Sequence, residues 1–176
     1  MNTLHATGIV IDIQKQGLKN WYTVFFDLKA AFDSVPHGIL LKQLKNIKLS
    51  SQNLNIIKLL FNSYCTSLDG SNAIKIRRGV PQGSIIAPFL FNIFLNPLLK
   101  EIEIAKWMEG NKHIMAYADD LLFIVQGKRN VKNLIQLAEL WCHRNGMQLN
   151  KKKSAIFKIQ KRSTTGLYET ELVEGI

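Results

Sequence analysis

The pattern of hydrophobic and polar positions divides the chain into alternating helices and strands. Apolar residues at helical spacing predict helices over 3–16, 37–46, 84–99 and 130–145, and a further helix that begins at Ser50 or Ser51. Short apolar runs predict strands at 21–27, at 73–77, on both sides of Tyr117, and at 154–159. Strands separated by helices indicate an α+β fold, with one sheet and helices packed mainly on one of its faces.

Two adjacent aspartates, Asp119 and Asp120, lie between the apolar runs 113–116 and 121–125. This arrangement predicts a hairpin with both carboxylates at its tip. Neighbouring carboxylates repel each other, and a hard divalent ion such as Mg²⁺ neutralises such a pair. A solvated turn explains the two residues equally well when they are considered alone, because Asp is common in turns.

A further carboxylate, Asp27, closes the apolar strand that begins at Val24. Burial of Asp27 without a counter-charge is costly, so a shared ion between this strand and the Asp119 hairpin is one interpretation. Two Mg²⁺ ions roughly 3.5–4 Å apart catalyse phosphoryl transfer in many enzymes. The alternative is a helix N-cap, which is the more favoured interpretation of Asp27 taken by itself.

Four segments together resemble the catalytic motifs of reverse transcriptases. They are 26–37 (FDLKAAFDSVPH), 78–84 (RGVPQGS) continuing into 87–94, Tyr117–Asp120 (YADD) and 146–154 (GMQLNKKKS). Their order and spacing match the family, and their wording is most similar to reverse transcriptases of non-LTR (LINE-type) retrotransposons. Group II intron enzymes are near relatives. The resemblance implies a polymerase palm-type antiparallel sheet and an RNA-directed DNA polymerase activity that joins a dNTP to a primer 3′-hydroxyl.

The resemblance also implies roles for individual residues. Asp27, Asp119 and Asp120 match the catalytic metal ligands of the family, which hold two Mg²⁺ ions, with Mn²⁺ as the alternative ion. The expected partners are an RNA template, a DNA primer and a dNTP.

Four more residues match positions that contact the nucleotide in the family. Phe32 matches an aromatic side chain that excludes a 2′-hydroxyl, and a core Phe is its alternative. Gln82 and Gly83 match the loop beside the incoming nucleotide, although Pro-Gln-Gly alone indicates only a turn. Lys153 matches a lysine near the leaving pyrophosphate, with a register uncertain by one residue and a solvated basic turn as the alternative. Asp33 and His37 belong to the first motif with no catalytic role expected.

The charge of the chain favours a polyanionic partner. Its 176 residues include 23 Lys and Arg against 13 Asp and Glu, a net charge of +10. Nucleic acid fits this balance, and a solubilising surface is the alternative. Two cysteines are too few for a disulfide framework. The apolar stretch 85–99 is shorter than the roughly 20 residues of a membrane span, so no membrane partner and an intracellular location are expected.

The domain organisation follows from the extent of the four motifs. Residues 1–160 are expected to form the palm with a small remnant of the fingers, and 161–176 a tail that leads to a thumb. We expect most of the fingers and the thumb to belong to a longer polyprotein, so that this chain is a fragment. A non-catalytic nucleic-acid-binding remnant and a two-metal nuclease are the alternative functions.

Overall fold

The computed structural model describes residues 20–63, 65–66, 74–108, 112–161 and 168–175. The helix expected over 3–16 lies outside these residues. The strands are β1 (Trp21–Phe26), β2 (Cys65–Thr66), β3 (Ile74–Lys75), β4 (Lys112–Tyr117), β5 (Asp120–Gln126), β6 (Ala155–Lys161) and β7 (Tyr168–Gly175). The helices are α1 (Ala31–Ser34), α2 (His37–Asn46), α3 (Ser51–Asn62), α4 (Ala87–Glu103) and α5 (Lys128–Arg144), with a 3₁₀ turn at Lys106–Met108.

Five of the strands form one antiparallel sheet in the order β4-β5-β1-β6-β7. The central strand is β1, in which Tyr22 lies opposite Val125 of β5 on one side and Lys158 of β6 on the other. The β2 and β3 strands pair separately as a short two-stranded ribbon. The strand that leads to Asp27 and the hairpin that carries Asp119 are therefore direct neighbours in the sheet.

The helices cover one face of this sheet. Tyr22, Val24 and Phe26 point into the main core, whereas Phe25 between them is 42% exposed. Helix α4 supplies the largest share of that core, and Phe94 packs edge-on against Trp141 of α5. On the opposite face, a small cluster is built around Trp21 and Ile124 of neighbouring strands. The α+β fold with helices mainly on one face is confirmed.

Several helix boundaries follow from local sequence signals. Pro36 is the N-cap of α2, which spans the predicted 37–46, and the Ser50 side chain accepts a hydrogen bond from the Asn53 N–H at the start of α3. Helix α5 is followed by Gly146 at φ 67°, the left-handed conformation that ends helices. Helix α4 differs from the predicted 84–99, because residues 84–86 precede the helix and the helix continues to Glu103.

Strand β7 is not predicted by the pattern of the chain. It pairs along β6 from Lys161 opposite Tyr168 to Ala155 opposite Gly175. Its sequence YETELVEG carries three glutamates and a terminal glycine, so the apolar alternation that identifies a strand is weak. Pairing with β6 at the edge of the sheet supplies the backbone hydrogen bonds in place of that pattern.

Cys142 occupies a structural position in α5. Its side chain is 2% exposed, and burial, with a further contribution from Glu139, raises the pKa of the thiol to about 12. Cys142 is therefore a core residue rather than a reactive thiol. In the part of the chain that the structure describes, no helix has both the length and the apolar character needed to cross a membrane.

Candidate active site

Asp27 is held at the end of β1 by the segment that precedes β6. The backbone N–H of Asp27 donates to Ser154 Oγ at 3.0 Å, and the Asp27 carbonyl accepts from the Asn150 N–H at 2.8 Å. Helix α1 begins only at Ala31, and its N-cap is Ala30. The N-cap interpretation of Asp27 is therefore wrong. The carboxylate of Asp27 is half-buried and does not cap α1.

The two aspartates of the β4–β5 hairpin diverge. Tyr117 lies opposite Asp120 in the register, so Ala118 and Asp119 form the turn itself. Ala118 takes a left-handed φ of 54°, as tight two-residue hairpins require. Asp119 is half-buried, whereas Asp120 is exposed as the first residue of β5. The predicted hairpin is confirmed, and its two carboxylates line different depressions of the surface.

Asp119 lines an open cleft of about 650 Å³ that also contains Asp27. The cleft brings together all but one of the residues predicted for the site: Asp27, Phe32, Gln82, Gly83, Asp119 and Lys153. Two more polar residues, Ser84 and Asn150, line it as well. The sequence pattern does not single out these two, although both lie inside the motif segments 78–84 and 146–154.

Asp120 is the predicted site residue that the cleft does not include. It lines an adjacent groove of about 770 Å³ over the face of the sheet opposite the described helices, together with Leu122 and Met115. Asp27 and Lys153 line both the cleft and this groove. These two residues therefore form the boundary between the two depressions.

Phe32 packs on one side and faces the cleft on the other. Its ring stacks on Phe91 with centroids 4.7 Å apart and an interplanar angle of 22°. Phe91 is fully buried, whereas Phe32 is half-buried and lines the cleft. Phe32 therefore both packs against the core and lines the cleft. The buried ring of Phe91 fixes the orientation of the half-buried ring of Phe32.

The loop that carries Gln82 is tied to the first motif. Gln82 Nε2 donates to Asp33 Oδ1 at 2.9 Å. Gly83 follows with φ 83°, and a Cβ placed on Gly83 would meet no atom within 4 Å. The glycine is thus required by the backbone conformation, and the open space beside it allows close approach of a ligand.

The three consecutive lysines before β6 have different environments. Lys151 Nζ forms an ion pair with Glu139 at 2.6 Å, and Lys153 lines the cleft. Lys151 and Lys152 do not line the cleft. Lys153 is therefore the lysine of this turn that lines the cleft.

His37 is a buried residue behind the loop. Its ring stacks on Phe61 at 4.0 Å, and its Nε2 donates to the carbonyl of Gly79 at 2.7 Å. Burial lowers the pKa of the imidazole, the hydrogen bond to Gly79 opposes this shift, and the charge of Lys75 adds to the lowering. His37 is therefore a neutral structural donor near pH 7.

The chemistry of the cleft suits a hard divalent ion. No three His, Cys, Asp or Glu side chains among the described residues are grouped to bind a metal. Among the described residues, the carboxylates that line the cleft are those of Asp27 and Asp119. Mg²⁺ sites commonly use one or two carboxylates, with water and substrate phosphates as the other ligands. The carboxylate pair thus fits Mg²⁺, and it does not fit an ion that requires a full set of protein ligands.

The antiparallel sheet, its helix-covered back and the carboxylates at adjacent strand ends together define a polymerase palm-type domain. The chain belongs to the reverse transcriptase (RNA-dependent DNA polymerase) family, whose model matches residues 2–168. The family resemblance of the four motifs is thereby confirmed.

Relatives and solved structures agree with this assignment. The chain is 28% identical over 159 residues to a Pol polyprotein from the type-1 retrotransposable element R2 of Popillia japonica, covering 85% of this chain and 22% of that protein. It is 30% identical to the RNA-directed DNA polymerase from mobile element jockey of Drosophila funebris, covering 74% of this chain and 15% of that protein. The fold is similar to that of apo telomerase from Candida tropicalis, with a TM-score of 0.71 at 14% identity, covering 97% of this chain and 36% of the telomerase chain. The chain thus spans less than a quarter of the length of the two retroelement proteins.

Proposed function

We propose that this chain is the catalytic palm of an RNA-directed DNA polymerase, which joins deoxynucleotides to a primer 3′-hydroxyl along an RNA template. The observation that carries the proposal is the single cleft shared by Asp27, from the end of β1, and Asp119, from the β4–β5 turn. Carboxylates that converge from two neighbouring strands are the donors that phosphoryl-transfer sites use. Membership of the family supports the choice of template and substrate.

Asp27 and Asp119 would hold two Mg²⁺ ions, with Mn²⁺ as the alternative ion. When bound, the ions supply activation of the primer hydroxyl and neutralise the charge of the triphosphate. Asp120 lines the adjacent groove and adds negative potential there, which attracts cations to the boundary with the cleft.

The remaining cleft residues orient the nucleotide. The Phe32 ring packs against the sugar and leaves no room for a 2′-hydroxyl, so that deoxynucleotides are favoured. Gln82 and Gly83 contact the nucleotide and the template base from the loop that lines the cleft. Lys153 donates a hydrogen bond or a proton to the departing pyrophosphate, because it is the lysine of its turn that lines the cleft.

The basic character of the chain supports a nucleic-acid partner. A net charge of +10 provides affinity for phosphates that does not depend on base sequence. The same charge favours a second function, in which the domain binds nucleic acid without catalysis. A nuclease is the third outcome, because paired aspartates also serve hydrolysis.

Primer extension separates these functions. The purified chain is supplied with an RNA template, an annealed DNA primer, dNTPs and Mg²⁺, and binding is measured in parallel by fluorescence anisotropy. The proposal predicts extension that depends on dNTPs and is lost in Asp119→Asn while binding of the duplex persists.

Two results would contradict the proposal. Binding of the duplex without extension, by wild-type protein under every metal condition, favours the non-catalytic function. Cleavage of the nucleic acid in the absence of dNTPs, lost in Asp119→Asn, favours the nuclease.

A further inference from the structure

Asp33 and His37 have no role in the proposed chemistry. Both residues contact the loop segment that includes Gly79 and Gln82. Three backbone hydrogen bonds align the segments: Val80 N–H to Phe32 O at 2.9 Å, Gly79 N–H to Val35 O at 2.8 Å, and His37 N–H to Arg77 O at 3.1 Å. Residues 32–37 are therefore hydrogen-bonded along their length to residues 77–80, which precede Gln82.

Gly79 brings the two segments into direct backbone contact beside Asp33. It has a φ of 93°, and a Cβ placed on it would lie 3.2 Å from the Asp33 carbonyl oxygen and 3.3 Å from Asp33 Cα. The buried His37 ring holds the Gly79 carbonyl from the other side at 2.7 Å. The position of Asp33 relative to the loop is thus set by backbone packing, and its side chain projects from a fixed base.

The contact between Asp33 and Gln82 determines how the Gln82 amide is turned. An ionised carboxylate only accepts hydrogen bonds, so the amide nitrogen of Gln82 must face Asp33. The distance between Gln82 Nε2 and Asp33 Oδ1 is 2.9 Å. The amide oxygen of Gln82, and its second N–H, are then left for a molecule in the cleft.

We propose that Asp33 is a positioning residue for nucleotide binding, which fixes the orientation of the Gln82 side chain at the cleft that Phe32 also lines. The inference rests on the proposed function and deepens it, because it names the residue that holds one wall of the nucleotide site. Phe32 and Asp33 are consecutive, so α1 carries both a ring that lines the cleft and the hydrogen-bond partner of the Gln82 amide. Asp33 does not itself line the cleft, so it acts on the nucleotide through Gln82.

The kinetic test compares Asp33→Ala with Asp33→Asn in primer extension. Asp33→Ala is expected to raise KM for the dNTP about 3- to 10-fold, the range set by one solvent-exposed hydrogen bond, with kcat changed by less than about twofold. Asp33→Asn should stay near the wild-type KM, because its amide oxygen still accepts from Gln82. Gln82→Ala should raise KM in the wild-type background and add nothing in Asp33→Ala.

A matched control is Glu101→Ala, which removes an exposed carboxylate that bonds Arg144 at the far end of α4. Its KM is expected to equal that of the wild type. A KM in Asp33→Ala equal to that of the wild type, or additive effects of the Asp33 and Gln82 substitutions, would overturn the inference.

A second measurement does not depend on activity. The side-chain amide signals of Gln82 in a ¹⁵N-labelled chain are identified by their loss in Gln82→Ala. They are expected to move in Asp33→Ala and to remain near their wild-type positions in Glu101→Ala. If the wild-type chain extends no primer, the proposed function fails while these signals still decide the contact. Displaced signals then support the contact by which Asp33 orients Gln82, and unchanged signals overturn it.

Discussion

Ser154 Oγ accepts the backbone N–H of Asp27 at 3.0 Å, which joins residues 127 positions apart in the chain. Ser154 is 2% exposed, so this hydrogen bond is sheltered from water. The neighbouring bond from the Asn150 N–H to the Asp27 carbonyl pairs the second backbone polar group of Asp27 with the same segment. Two hydrogen bonds therefore connect the end of β1 to the turn that carries Lys153.

Removal of this hydroxyl should weaken the fold. Ser154→Ala leaves the Asp27 N–H without its partner in a sheltered position, and we expect a loss of about 1–3 kcal/mol in the free energy of unfolding. Urea denaturation followed by circular dichroism measures it. Ser63→Ala, at the exposed end of α3, is the control and should change stability by less than about 0.5 kcal/mol. Equal effects of the two substitutions would contradict this account of Asp27.

Gly79 and Gly38 provide a matched pair of glycines. Gly79→Ala places a Cβ against Asp33 at a φ of 93°, and we expect destabilisation by roughly 1–3 kcal/mol. Gly38 lies in α2, and a Cβ placed on it would meet no atom within 4 Å, so Gly38→Ala should be neutral or stabilising by up to about 1 kcal/mol. Thermal melts of both variants measure the difference. A Gly79→Ala protein as stable as Gly38→Ala would show that the close approach is not required.

Lys153 and Lys152 are neighbours with different surroundings. Lys153→Ala should lower kcat for incorporation by about 10- to 100-fold, because it removes a cation from the cleft. Lys152→Ala removes the same charge from the same turn outside the cleft and should leave kcat within about twofold. Single-turnover incorporation measures both. A larger loss in Lys152→Ala would move the assignment by one residue.

His37 should make stability depend on pH. Its pKa in the folded protein lies below the ordinary value of 6.5, so the unfolded chain binds a proton at a higher pH than the folded chain does. The contribution of neutral His37 is therefore complete above about pH 6.5 and is lost as the pH falls through the lowered pKa.

Urea midpoints between pH 5 and pH 7.5 measure this dependence. His37→Gln retains a donor for the Gly79 carbonyl and should reduce the fall of the urea midpoint at low pH. His143→Gln, at the exposed end of α5, should show the same fall as the wild type. A decline of equal steepness in wild type and His37→Gln would assign the effect to other groups.

Much of this architecture is predictable because its signals are local. Pro36 at the start of α2, the Ser50 cap of α3 and the two-residue turn between β4 and β5 are all determined within a few positions of the chain. The choice between Asp27 as a cap and Asp27 as a cleft residue is not local, because it depends on Ser154 and Asn150. Strand β7 is not predictable from local sequence for the same reason, because it forms through pairing with β6 and not through its own composition.

Most of the predicted residues line one cleft, but their arrangement there is not predictable from the sequence. Asp119 and Asp120 are equivalent in sequence, and only the register of the hairpin separates them into two depressions. Similarly, the carboxylate of Asp33 acquires its contact with Gln82 because Gly79 allows two distant segments to meet.

The most direct test of the central claim compares Asp119→Asn with Asp120→Asn in single-turnover incorporation of a dNTP. The account predicts that Asp119→Asn loses on the order of 100-fold or more in rate, since it removes a carboxylate from the cleft shared with Asp27. Asp120→Asn, which alters the adjacent groove, should lose about tenfold or less. Equal losses, or the greater loss in Asp120→Asn, would contradict the assignment of the cleft as the active site.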